Sequence, residues 1–117
     1  MGKIYINENK ILLQELIKVY QPVDYDWLSY KITKKNILTL HHIVKVEDGG
    51  ELSFENSALL TKRTRQAFHI CEHRDFVLYG EINDFFREIV SHSTVLDSNL
   101  EKQSREYKKA LMKTLYK

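Results

Sequence analysis

Cysteine, proline and glycine are all scarce in this chain of 117 residues, which has one Cys, one Pro and four Gly. The lone Cys71 has no partner for an internal disulfide, and without a Cys-x-x-Cys pair there is no zinc knuckle, so a reducing compartment suits the chain. With few helix breakers and 43% hydrophobic residues, the composition is neither fibrous nor disordered, and it points to a helix-rich globule. No apolar run approaches the roughly 18 residues that a membrane span needs, and the opening stretch Met1 to Asn9 is polar. The expectation is a cytoplasmic chain with neither signal peptide nor membrane anchor. A large excess of one charge is missing too, since 18 Lys and Arg stand against 16 Asp and Glu for a formal +2. Net charge alone does not attract a polyanion here, so any basic surface must be local. At this length a single domain over 1–117 with one hydrophobic core is expected, which excludes a multidomain enzyme.

Helical periodicity dominates what is present. From Asn7, a candidate cap, the segment Asn9 to Tyr20 carries Leu12, Leu13, Leu16, Ile17 and Tyr20 at helical spacing, and Pro22 lies just beyond. Gln21 to Lys35 holds Pro22, Trp27 and Tyr30 without a clear period and reads as a packed connection or a short helical turn. Asn36 to Val46, rich in Ile, Leu, Val and Thr, reads as a strand entering the turn Asp48-Gly49-Gly50. Ser57 to Glu72 reads as a helix, with Leu59, Leu60, Ala67, Phe68 and Cys71 on a buried side. Asp75 can cap a further helix to Val90, where Leu78, Ile82, Phe85 and Ile89 form an apolar stripe widened by Phe86. Ser98-Asn99-Leu100-Glu101 has the form of a capping box that opens a last helix to about Tyr116. The apolar side of that helix, Leu100, Tyr107, Leu111 and Leu115, opposes Lys102, Arg105, Lys109 and Lys113, a solvated face that can also track phosphates.

The stretch that carries chemistry is Leu38-Thr39-Leu40-His41-His42-Ile43, then Gly49-Gly50, then Asn56-Ser57-Ala58-Leu59-Leu60, with His69 on the following helix. Adjacent strand residues point to opposite sides, so one imidazole can ligate a metal while the other acts as a base. Hydrolysis of a phosphodiester uses both, a base for the attacking water and a cation at the phosphate. These residues resemble the HNH, or ββα-metal, endonuclease family, whose core reads His-His-Ile, a Gly-Gly loop and Asn-x-x-Leu-Leu at a helix start. The resemblance covers 36–72. It implies an α+β, mostly helical fold in which a ββα-metal motif packs against flanking amphipathic helices, a helical segment 1–35 before it and another, 73–117, after it. The activity implied is metal-dependent hydrolysis of DNA, as in the small HNH-like proteins of bacterial phages and mobile elements. Carried over position by position, His42 is the general base and Asn56 braces the loop. His41 and His69 hold one divalent ion (Mg, Mn, Ni or Zn), and Lys62, Arg63 and Arg65 meet the DNA backbone.

Residues nine and thirteen after Asn56 complete the metal site of the family, and here they are Arg65 and His69. A guanidinium stays protonated and has no lone pair, so Arg65 cannot ligate a cation. Three arrangements accommodate it. His41 and His69 can hold the ion together with water and substrate phosphate, or His73 can swing in as a substitute. Alternatively Arg65 contacts the scissile phosphate directly while His42 activates water without a metal. The rival reading is a catalytically degenerate HNH fold that binds DNA or a protein partner without cutting. A homodimer would suit cleavage of both strands. Lys45 stands where many family members have proline, and Thr61 and Thr64 stand where zinc-stabilised members carry paired cysteines, which implies no structural zinc. Glu72 and His73 read as surface residues, and Cys71 as a small core residue.

Overall fold

The computed structural model describes residues 8–92 and 96–116. Helix α1 spans Glu8–Tyr20. Its core side is the expected one, with Leu16 and Tyr20 buried and Leu12, Leu13 and Ile17 packed against them. The expected cap Asn7, like Lys117 at the other end, lies outside the described residues. After α1 an irregular connection drops Trp27 and Leu28 into the core, each at most 1% exposed.

Strands β1 (Leu38–His42) and β2 (Ser57–Thr61) pair antiparallel, with Leu38 opposite Thr61 and His42 opposite Ser57. This corrects two expectations. The first strand stops at His42 instead of running to Val46: Ile43 N–H still donates to the Asn56 carbonyl, but Asn56 N–H turns to the Ser53 carbonyl and Val44 N–H to the Asn56 side chain, which ends the ladder. Ser57–Thr61, expected as the start of a helix running to Glu72, is a strand that follows a short turn ending at Asn56. All five residues of β2 are buried, so the segment has no polar side to present to water, as an amphipathic helix there would need.

Helix α2 therefore begins only at Lys62 and runs to Arg74, with Thr61 Oγ1 accepting from Thr64 N–H at its start. One buried carboxylate locks this corner to the connection after α1. Asp26 Oδ1 accepts from Leu28 N–H (2.9 Å) and Tyr30 N–H (3.1 Å), and Oδ2 accepts from Thr61 N–H (2.8 Å) and the Thr64 hydroxyl (2.5 Å). Two threonines and an aspartate 35 or more positions away thus join this corner. Buried charge is tolerated there because four donors replace its hydration.

Helices α3 (Phe76–His92) and α4 (Ser98–Leu115) complete the chain. Asp75 joins α2 to α3 and caps the latter as its position predicts, accepting from Leu78 N–H at 3.1 Å. Ile82, Phe85, Phe86 and Ile89 are all buried. At α4 the cap is Asp97 and not Ser98, since Asp97 Oδ1 accepts from Leu100 N–H at 2.8 Å. A carboxylate is favoured over a hydroxyl at the positive end of a helix. Arg74 closes the far end by donating to the carbonyls of Leu115 (2.9 Å) and Thr114 (3.3 Å). Lys102, Arg105, Lys109 and Lys113 are exposed on the side away from buried Leu100 and Leu111. The architecture is α+β and mostly helical, a two-stranded sheet with four helices among the described residues. Among those residues no helix is long and apolar enough to cross a membrane.

Candidate functional site

An open cleft of about 940 Å³ runs between the end of β1, the loop that follows and helix α2. His41 and His42 enter it from the strand. Lys62, Arg65, His69 and Glu72 enter from α2, because steps of three and four residues put them on one stripe of the helix.

His41 is wedged edge-on between Phe68 and Phe86, with ring centroids 5.1 and 5.6 Å away, and its Nε2 lies 3.0 Å from Asn83 Oδ1. With a carbonyl oxygen as partner, Nε2 carries the proton of the neutral ring and donates it. Burial pulls the His41 pKa down to about 4; the Asn83 hydrogen bond works against this, and the charge of Arg65 adds to it. His42 is half-buried, and its Nδ1 is buried without a hydrogen-bond partner. Desolvation, then the Arg65 charge, also hold His42 below the ordinary histidine value. Both imidazoles are thus neutral at pH 7, the state required of a base or of a ligand.

Across the cleft, Lys45 Nζ lies 2.5 Å from Glu72 Oε2 and 3.9 Å from Glu47 Oε1. The hydrogen bond to Glu72 is the main cause that raises the Lys45 pKa above its usual value. Glu72 is not the solvated residue expected from its sequence position, for its side chain is only 13% exposed. Its second oxygen, Oε1, lies 3.5 Å from His69 Nδ1, and the rings of His69 and His73 are 5.1 Å apart. Tyr79 closes the floor by stacking on Phe68 at 4.5 Å, and burial raises its phenol above the usual range.

The loop between the strands is held from behind. Asn56 Oδ1 accepts from Val44 N–H (2.8 Å), and its Nδ2 donates to the carbonyls of Val44 and Glu51, both at 2.9 Å. Gly49 has a φ of +89°, where a side chain is strained, and a Cβ on Gly50 would overlap the Val44 carbonyl. The Gly-Gly pair is therefore a backbone requirement of the turn that carries Lys45.

Of the residues singled out in the sequence, His41, His42, Lys62, Arg65 and His69 line this one cleft. Asn56 stands behind it, and Arg63 lies outside its lining, exposed, with its N–H donating to Asn36 Oδ1. Among the described residues, His69, Glu72 and His73 form the group of three whose ligand atoms converge within 4.8 Å, and His41 is not a member. Sequence reasoning missed Asn83, Tyr79 and the pairing of Lys45 with Glu72. No spacing rule links Asn83 to a histidine 42 positions away, whereas Glu72 was visible as the residue three beyond His69 on one helical face. Comparison with known protein families, curated proteins and solved structures finds no match.

Proposed function

We propose that this cleft binds the backbone of DNA and hydrolyses its phosphodiester bonds, as an HNH-like endonuclease domain with His42 as the general base. One observation carries the reading: a hairpin braced by Asn56, and the helix that follows it, bring two neutral imidazoles together with Arg65 and Lys62 in one open cleft. A phosphodiester is anionic and gains charge on its oxygens during attack, so the reaction needs a base at the water and cations at the phosphate. His42 takes a proton from water as the water oxygen attacks phosphorus. The bond from phosphorus to the leaving sugar oxygen breaks, and that oxygen takes a proton from solvent. Arg65 donates paired hydrogen bonds to the non-bridging oxygens, and Lys62 meets a neighbouring phosphate.

The metal set of the resembled family does not fit these residues. Arg65 has no lone pair, and Nε2 of His41 is engaged by Asn83. No step is routed through an ion held there.

Arg65 also favours a second reading, a degenerate HNH fold that holds DNA or a protein partner without cutting. The test is nicking of supercoiled plasmid, alongside affinity for a labelled duplex, with and without divalent ions. The hydrolase reading expects nicking that His42→Ala abolishes while affinity is retained. Affinity with no nicking under any ion supports the second reading. Loss of both activities from the native chain would refute any DNA role.

A further inference from the structure

We propose that α2 carries a divalent transition-metal site made of His69, Glu72 and His73, one turn beyond the position that Arg65 occupies. The three residues sit at i, i+3 and i+4, within about 100° of arc on a helix. Their ligand atoms lie within 4.8 Å of one another, and His69 Nδ1 is 3.5 Å from Glu72 Oε1. Two ligand atoms bound at about 2.1 Å to one tetrahedral ion lie about 3.4 Å apart, so this pair already has the required separation. Both histidines are exposed, so a rotation of the ring brings His73 to the same point without repacking.

Glu72 is prepared for the task. Lys45 holds Oε2 at 2.5 Å, which leaves Oε1 directed at His69 and fixes the carboxylate, as outer partners of metal-bound carboxylates do. The site occupies the last turns of α2, where the helix dipole favours positive charge. Arg65 lies a full turn back, so its charge does not occupy a ligand position. Two imidazoles and one carboxylate select a borderline ion such as Zn²⁺ or Ni²⁺ over Mg²⁺, which prefers oxygen ligands. His69 and Glu72 line the cleft, so the remaining coordination positions are open to water or to a phosphate oxygen. Use of the ion in hydrolysis rests on the nuclease reading; its binding does not.

The test is isothermal calorimetry of the metal-free chain with Zn²⁺ and Ni²⁺, with Mg²⁺ for contrast, on the native protein and on His73→Ala and His41→Ala. All are followed by circular dichroism to confirm folding. One ion per chain is expected, with affinity lowered about 10-fold or more by His73→Ala and unchanged by His41→Ala. Binding that His41→Ala abolishes and His73→Ala leaves intact would overturn the placement in favour of the strand histidine. Zn²⁺ and Ni²⁺ binding no tighter than Mg²⁺ would overturn the site altogether. Nicking by a chain in which His73→Ala has no effect on metal affinity would preserve the hydrolase and remove this site. Saturable binding lost in His73→Ala, in a chain that never nicks, would preserve the site and remove the hydrolase.

Discussion

Replacing Asp26 is the sharpest test of how the cleft is held. Its carboxylate is 3% exposed and accepts four hydrogen bonds, from the amides of Leu28, Tyr30 and Thr61 and from the Thr64 hydroxyl. In Asp26→Ala the hydroxyl still has Thr61 Oγ1 at 3.0 Å, whereas the three amides lose this acceptor. A buried donor left without a partner costs about 1–3 kcal/mol, and entry of water recovers part, so the sum is roughly 3–5 kcal/mol. That is a large share of the about 5–15 kcal/mol that holds a domain together. Asp26→Asn keeps one acceptor oxygen but aims an NH₂ group at two donors, and about half the loss is expected. The assay is equilibrium urea unfolding followed by far-UV circular dichroism, which avoids the neighbouring Trp27 as a probe. The midpoint should fall with little change in slope. An alanine variant within about 1 kcal/mol of the native chain would refute the claim that this carboxylate locks the β2–α2 corner.

Three further outcomes follow from the same geometry. Gly50→Ala should destabilise the chain by well over the ~1 kcal/mol typical of a point mutation, because its Cβ would overlap the Val44 carbonyl; unchanged urea midpoints would disprove the tight turn. His41 titrates at about 4 in the fold against 6.5 when unfolded, so its protonation has no effect above pH 6.5. As pH falls between those values only the unfolded chain gains the proton, and stability drops by about 1.4 kcal/mol per pH unit to a loss of roughly 3 kcal/mol. His41→Gln should remove that dependence, and an identical pH profile for the variant would count against the buried ring. If Lys62 and Arg65 meet phosphates, DNA affinity should fall steeply with salt, and Lys62→Ala should reduce the slope of log K against log salt by about 1; a flat salt response would exclude backbone contact.

Local pattern was enough for α1, α3 and α4, because a helix with one apolar stripe records in its own spacing which side meets water. The turn at Gly49 and Gly50 was legible for a similar reason, since only glycine accepts that backbone. The strand at Ser57–Thr61 was not. Ser57, Ala58, Leu59 and Leu60 include good helix formers, and a run buried on all sides leaves no periodic trace of which elements bury it. The histidine pair, Asn56 and His69 stood out by type and spacing, which was sufficient to propose a shared site. Tertiary structure alone decided that Asn83 takes the Nε2 of His41, that Lys45 reaches across to Glu72, and that Asp26 serves donors from two separate segments. Each of these joins residues far apart in the chain. Such a hydrogen bond is a property of two packed elements, and neither element carries a sign of it in its own sequence.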